Sequence, residues 1–161
     1  MVLFFEDWKK HPGACLHLKT KNKSWLRLAG LLKSMGVQNH AFPLALHNPK
    51  LEDVDPFDPN LSGELQTAIA MEVAVNPWYF FREVVRLKGD SMMEANRFNI
   101  ALWWLFFNHI TVLGLAPRQT GKSTAVWVLD TYILESSMNT EIHLLTKDDS
   151  LRVKSIRDIK S

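Results

Sequence analysis

The stretch Ala116-Pro117-Arg118-Gln119-Thr120-Gly121-Lys122-Ser123 decides how the rest of the chain is read. It follows the pattern G-x-x-x-x-G-K-[ST], with alanine in place of the first glycine. A loop of this kind curls backbone N–H groups around a β-phosphate, and the helix after it aims the positive end of its dipole at the same charge. Gly121 lets the backbone come close without a Cβ in the way. Lys122 is placed to reach the β- and γ-phosphates, and the Ser123 hydroxyl to complete a magnesium shell. Ala116 keeps a small residue at the first turn. The candidate nucleotide-binding residues are therefore Ala116, Pro117, Gln119, Thr120, Gly121, Lys122, Ser123 and Thr124. ATP and Mg2+ are the expected ligands, with Ser123 as the metal residue. Arg118, inside the loop, can fold toward a γ-phosphate and stabilise charge there, which makes Arg118 and Lys122 the candidate catalytic pair. The plainer reading of Arg118 is a surface arginine paired with a loop acid.

On either side of the loop the pattern is that of an α/β unit. Thr111–Ala116 is a short apolar run before a turn, which predicts a buried strand. Ser123–Ser136 reads as a helix, Glu141–Thr146 as a second strand and Asp149–Ile159 as a further helix. Strand, loop, helix, strand, helix opens a parallel sheet with a right-handed crossover. The expected fold class is α/β, a P-loop NTPase-type parallel sheet of which only the beginning is present, preceded by a mainly helical N-terminal region. Two strands with exposed edges predict a chain prone to self-association. Upstream, Asn96–His109 is apolar almost all round, which predicts a helix buried on several sides. Its Trp103, Trp104, Phe106 and Phe107 read as core rather than as a platform for stacked bases.

Further toward the N-terminus, Asn76 can cap a helix over Trp78–Leu87 with Pro77 at its first position, and Lys88-Gly89-Asp90 is a turn. Leu65, Ile69 and Val73 give one face of a helix from Leu61 to Val75. Trp25, Leu28, Leu32 and Met35 recur at helical spacing after Ser24, the expected N-cap, and Gly36 supplies the stop. Residues 47–60 hold three prolines and four acids, which reads as an extended linker or surface loop. The expected division is a region 1–58, with a basic loop and an acidic, proline-rich linker, followed by an ATPase-type region 59–161.

Several function classes fall away on composition. A net charge of +2 supplies no global field for nucleic acid, so any basic surface must be local. The single cysteine, Cys15, excludes an internal disulfide and fits a reducing compartment. The longest apolar run, Ile100–Phe107, is far short of the roughly 20 residues that cross a bilayer. A cytoplasmic setting without membrane partners is the expectation. His11, Cys15 and His17 have the composition of a metal site, yet their spacing matches no common zinc pattern. The Lys19–Lys23 cluster reads as a solvated loop before it reads as a contact to DNA phosphates. Asp148 and Asp149 suit a helix N-cap better than a magnesium site.

The sequence Ala116–Ser123, with arginine and glutamine inside the loop, resembles the deviant Walker A of the large terminase subunit of tailed bacteriophages. Asn76-Pro77-Trp78-Tyr79-Phe80-Phe81-Arg82-Glu83 is similar to a segment upstream of that loop in some phage terminases. Leu144-Leu145-Thr146-Lys147-Asp148-Asp149-Ser150 is similar to the strand and turn that follow it. The resemblance covers about residues 76 to 161, in the family's order. It implies an ATP-driven motor that moves double-stranded DNA into a capsid, working in the host cytoplasm at the capsid portal. The implied partners are double-stranded DNA, the portal protein, the small terminase subunit and further copies of the chain in a ring. By resemblance, Lys122 and Ser123 are the phosphate and magnesium residues, Arg118 is the loop arginine, and Thr146 to Ser150 line the same face of the sheet. Two departures stand out. Asn96 and Asn99 occupy the stretch where the family often carries an adenine-reading glutamine. No apolar run ending in paired acids follows the loop, so the expectation is the front part of a longer ATPase, poorly active alone. A helicase or repair ATPase with the same loop, and a non-catalytic docking module for a portal or another phage partner, are the alternative readings.

Overall fold

The computed structural model describes residues 8–108 and 121–143, together with Val153, Ile156 and Arg157. The chain forms two compact units, Met1–Arg97 and Phe98–Ser161. Among the described residues the fold is α/β, with five α-helical segments and two small sheets, both antiparallel. No helix among them is long and apolar enough to cross a membrane.

In the first unit, β1 (Cys15–Leu16) pairs with β2 (Ala45–Leu46). Between them runs α1 (Lys23–Ser34), which buries Ser24, Trp25, Leu28 and Ala29. Its N-cap is Asn22 rather than Ser24, because Ser24 is drawn into a buried hydrogen-bond network described below. Gly36 ends the helix as expected. Its backbone is left-handed at φ +80°, and the Gly36 and Val37 N–H groups return to Lys33 and Leu32 carbonyls, the bonding of a Schellman cap.

Residues 47–60, expected as a linker or surface loop, belong to this unit and are exposed or half-buried apart from Leu51. Leu51 is fully buried and packs with Leu46 and Tyr79, and Val54 lies against the same cluster. Helix α2 (Gly63–Val75) follows, with Ser62 as its cap, and seats Leu65, Ala68, Ile69 and Val73 on that cluster.

Asn76 then caps α3 (Pro77–Tyr79) by accepting from the Tyr79 N–H at 3.2 Å. The segment continues as one π-helical stretch over Phe80–Val84, closed by Val85 N–H to the Phe80 carbonyl at 3.0 Å. The helix therefore stops short of the expected Leu87. Arg86–Leu87 is instead β3, paired with β4 (Ser91–Met92) around a turn in which Gly89 and Asp90 both have positive φ. Eight consecutive residues, Asn76 to Glu83, are buried, so this segment is the spine of the unit. Trp78 meets Trp25, Phe42 and Phe81 edge-on, with centroids 5.1 to 6.4 Å apart. Each such contact contributes about 1 kcal/mol beyond burial.

The second unit contributes α4 (Arg97–Asn108) and α5 (Lys122–Ser136) to the described residues. Helix α4 buries Asn99, Ile100 and Trp103, three residues of one face, while Leu105 and Phe106 are exposed, against the expected burial on several sides. The expected strand over 111–116 and the residues from 144 to 150 lie outside the described residues. Glu141–His143, the start of the expected second strand, has no regular structure. Of the expected helix over 149–159, Val153, Ile156 and Arg157 are helical.

Candidate nucleotide-binding site

The described end of the phosphate loop is its junction with α5. Gly121 stands in the left-handed region, φ +73° and ψ +15°, directly before the first helical residue. A Cβ built there would meet nothing within 4 Å, so glycine is required by the backbone conformation and not by crowding. The Gly121 carbonyl starts the helix by accepting from Ala125 N–H at 2.9 Å. Lys122, Ser123 and Thr124 form the first turn, which holds no acid, and Gly121 and the Lys122 and Ser123 side chains are exposed. The N-terminal end of α5 thus faces solvent with Lys122 as its first residue and no carboxylate in that turn to oppose an anion. The leading N–H groups of that turn, without partners inside the helix, suit an anion. Ala116, Pro117, Arg118, Gln119 and Thr120 lie outside the described residues.

The turn is held from below. Trp103 is fully buried, and its indole N–H donates to the Ala125 carbonyl at 2.8 Å, tying α4 to the first turn of α5. Phe107 meets Tyr132 edge-on at 5.9 Å. Of the four aromatic residues read as core in α4, Trp103 is core, Trp104 and Phe107 are half-buried and Phe106 is exposed. Further along α5, Asp130 is 8% exposed, and its Oδ2 has no hydrogen-bond donor among the described residues. Burial raises its carboxyl to about 6.

Reading the sequence missed two buried polar clusters in the first unit. In one, Arg82 is fully buried. It donates from Nε to Glu83 Oε1 at 2.8 Å and from Nη1 to the Pro43 carbonyl. His17 Nδ1 lies 3.2 Å from Glu83 Oε1 and 3.3 Å from Arg82 Nη2. Burial pushes the Glu83 carboxyl up, but the His17 hydrogen bond, the Arg82 charge and the Thr20 hydroxyl outweigh it and hold the group at about 2. Asn22 extends the cluster, donating from Nδ2 to the carbonyls of Arg82 at 3.2 Å and Met93 at 2.9 Å. Its Oδ1 accepts from Ser24 Oγ at 2.6 Å, and the side chain makes no capping bond to α1. In the other cluster, buried Glu72 accepts from the His47 and Asn48 N–H groups and from Asn76 Nδ2, at 2.9, 3.1 and 2.7 Å. Charged residues in the middle of an apolar run were the available signal, since such residues are buried only when paired.

The remaining candidates resolve structurally. Among the described residues no group of His, Cys, Asp and Glu side chains is placed to hold a metal. His17 serves the Arg82–Glu83 cluster, and the His11 ring stands edge-on to His47 at 5.2 Å. The basic loop is not merely solvated. Lys19 meets Asp53 at 2.6 Å and Lys21 meets Asp55 at 2.7 Å, so the lysines are matched by the acids of the anticipated linker. Asn99 is buried and Asn96 exposed. Comparison with protein-family models, with curated proteins and with solved structures finds no match for this chain.

Proposed function

We propose that this chain is the ATP-binding portion of a DNA-packaging motor of the large-terminase type, in which Mg2+–ATP is held by residues 116–124. The observation that carries the reading is the left-handed Gly121 followed by Lys122 and Ser123 on the exposed first turn of α5. The sequence pattern asks for that local geometry. In this reading the N–H groups of the first turn and the Lys122 ammonium bind the β- and γ-phosphates. The Ser123 hydroxyl joins the magnesium shell, and Arg118 orients on the γ-phosphate. A magnesium ion held there by Ser123 would supply neutralisation of the phosphate charge. Translocation of double-stranded DNA through a portal, with the small subunit and further copies of the chain as partners, rests on the resemblance alone.

Calorimetric titration of the chain with Mg2+–ATP tests it, with Lys122→Ala as control and phosphate release followed in parallel. Saturable binding that the substitution abolishes is expected. A folded chain that binds no nucleotide would sink the reading.

One observation favours the docking-module alternative. The first unit carries an open, largely apolar groove of about 680 Å³ between His47–Pro49 and one face of α2, including Met71 and Val75. Capture of a portal or small subunit that survives Lys122→Ala but is lost on Met71→Glu, at an exposed position of the groove, would support it.

A further inference from the structure

Ala125 is held at both of its backbone groups. Its N–H donates to the Gly121 carbonyl at 2.9 Å, and its carbonyl accepts from the Trp103 indole N–H at 2.8 Å. Both residues are fully buried. Ordinary helical bonding gives the same carbonyl the Leu129 N–H, so the indole fills its second lone pair. Leucine or phenylalanine would cover this turn as well as tryptophan does, but neither brings a donor.

Helical bonding runs from that carbonyl back to the phosphate loop. The peptide that carries the Ala125 carbonyl also carries the Val126 N–H, which donates to the Lys122 carbonyl four residues back. The peptide of the Lys122 carbonyl carries in turn the Ser123 N–H, one of the leading N–H groups of α5 with no acceptor inside the helix. Peptides linked in this way polarise one another, so a donor added at the buried end strengthens the donor at the exposed end.

We propose that Trp103 is a positioning residue of the nucleotide site. Its N–H fixes the first turn of α5 from beneath and makes the Ser123 N–H a stronger donor to phosphate. It acts through Ala125, Val126 and Lys122 and needs no contact with the ligand. The inference rests on the nucleotide-binding reading, which supplies the phosphate that the Ser123 N–H meets. Its reach is to the phosphates alone, so the base plays no part.

The test replaces the Trp103 indole by benzothiophene, which keeps the ring shape and puts sulfur where the N–H stands. Calorimetry, well below the melting temperature, gives the affinity of the full chain for Mg2+–ATP and for Mg2+–tripolyphosphate. Binding about threefold weaker is expected, by the same factor for both ligands. Trp103→Phe, which also opens a cavity beneath the turn, should weaken both by more. Without ligand, the amide proton resonances of Val126 and Ser123 should move upfield, that of Val126 further. The same replacement at Trp25, whose N–H donates to the Met93 carbonyl at 3.0 Å, removes a comparable buried bond and should leave affinity unchanged. An unmodified chain that binds neither ligand sinks the nucleotide reading and the inference with it. Where the unmodified chain binds, equal binding by the benzothiophene form overturns the inference alone. So does a loss confined to ATP, an equal loss from the Trp25 replacement, or a Ser123 amide resonance that does not move.

Discussion

Gly121 carries a backbone conformation that a Cβ opposes, at the point where the loop becomes helix. Gly121→Ala is expected to cost about 1 kcal/mol of stability, the penalty of a left-handed non-glycine residue, and to weaken nucleotide binding as well. Thermal melting and calorimetry read the two effects separately. Two carboxyls give opposite pH behaviour. Glu83 is held at about 2 in the folded chain against an ordinary 4.5, so its contribution is fully present above 4.5. That contribution is lost as pH falls from 4.5 through about 2. Glu83→Gln should flatten this acid limb of a melting-temperature profile and lower stability at neutral pH, since Arg82 stays buried without its counter-charge. Asp130 is raised to about 6 from 3.8, so its burial becomes a penalty as pH rises through that window and is fully felt above 6. Asp130→Asn should therefore raise the melting temperature above pH 6 and change little below 3.8. A uniform shift across the range would contradict this assignment.

At the scale of elements, Asn76 joins three pieces of the first unit. It caps α3 at the Tyr79 N–H, and its Nδ2 donates to the Ala45 carbonyl of β2 at 2.9 Å and to Glu72 of α2 at 2.7 Å. Asn76→Ala removes a cap and leaves buried acceptors short of a donor, an expected cost of about 3 kcal/mol by urea unfolding. A loss no larger than that of a surface substitution would mean that the cluster contributes little. Asn22 does comparable work for the connection to the next unit. Together with Trp25 Nε1, at 3.0 Å, it donates to the Met93 carbonyl, and Ser24 accepts from the Ala95 N–H. The chain is thus pinned at 93–95, immediately before α4 begins at Arg97.

For the whole molecule, the division at Arg97 carries a consequence for folding. The aromatic cluster around Trp78, both polar clusters and both antiparallel sheets lie within Met1–Arg97. Residues 1–97 alone are expected to unfold in one cooperative transition, followed by fluorescence of the Trp25 and Trp78 core. A broad, non-cooperative melt of this piece would show that the first unit depends on the second.

The sequence by itself determined what is local. Asn76-Pro77 starts a helix, Gly36 ends one, Lys88-Gly89-Asp90 turns the chain, and Gly121-Lys122-Ser123 opens α5 after a phosphate-loop pattern. Each of these depends on φ/ψ preferences and on hydrogen bonds spanning three to five residues, which neighbouring residues set on their own. Only the tertiary structure decided the pairings across the chain. Lys19 and Lys21 find Asp53 and Asp55 34 residues away, and Arg82 finds His17 65 residues away. The same closure moved the start of α1 from Ser24 to Asn22 and seated Leu51 and Val54, within the expected linker or surface loop, in the core cluster. Such contacts are paid for by loop closure and desolvation, free energies that depend on which distant segments arrive together and that no window of sequence contains.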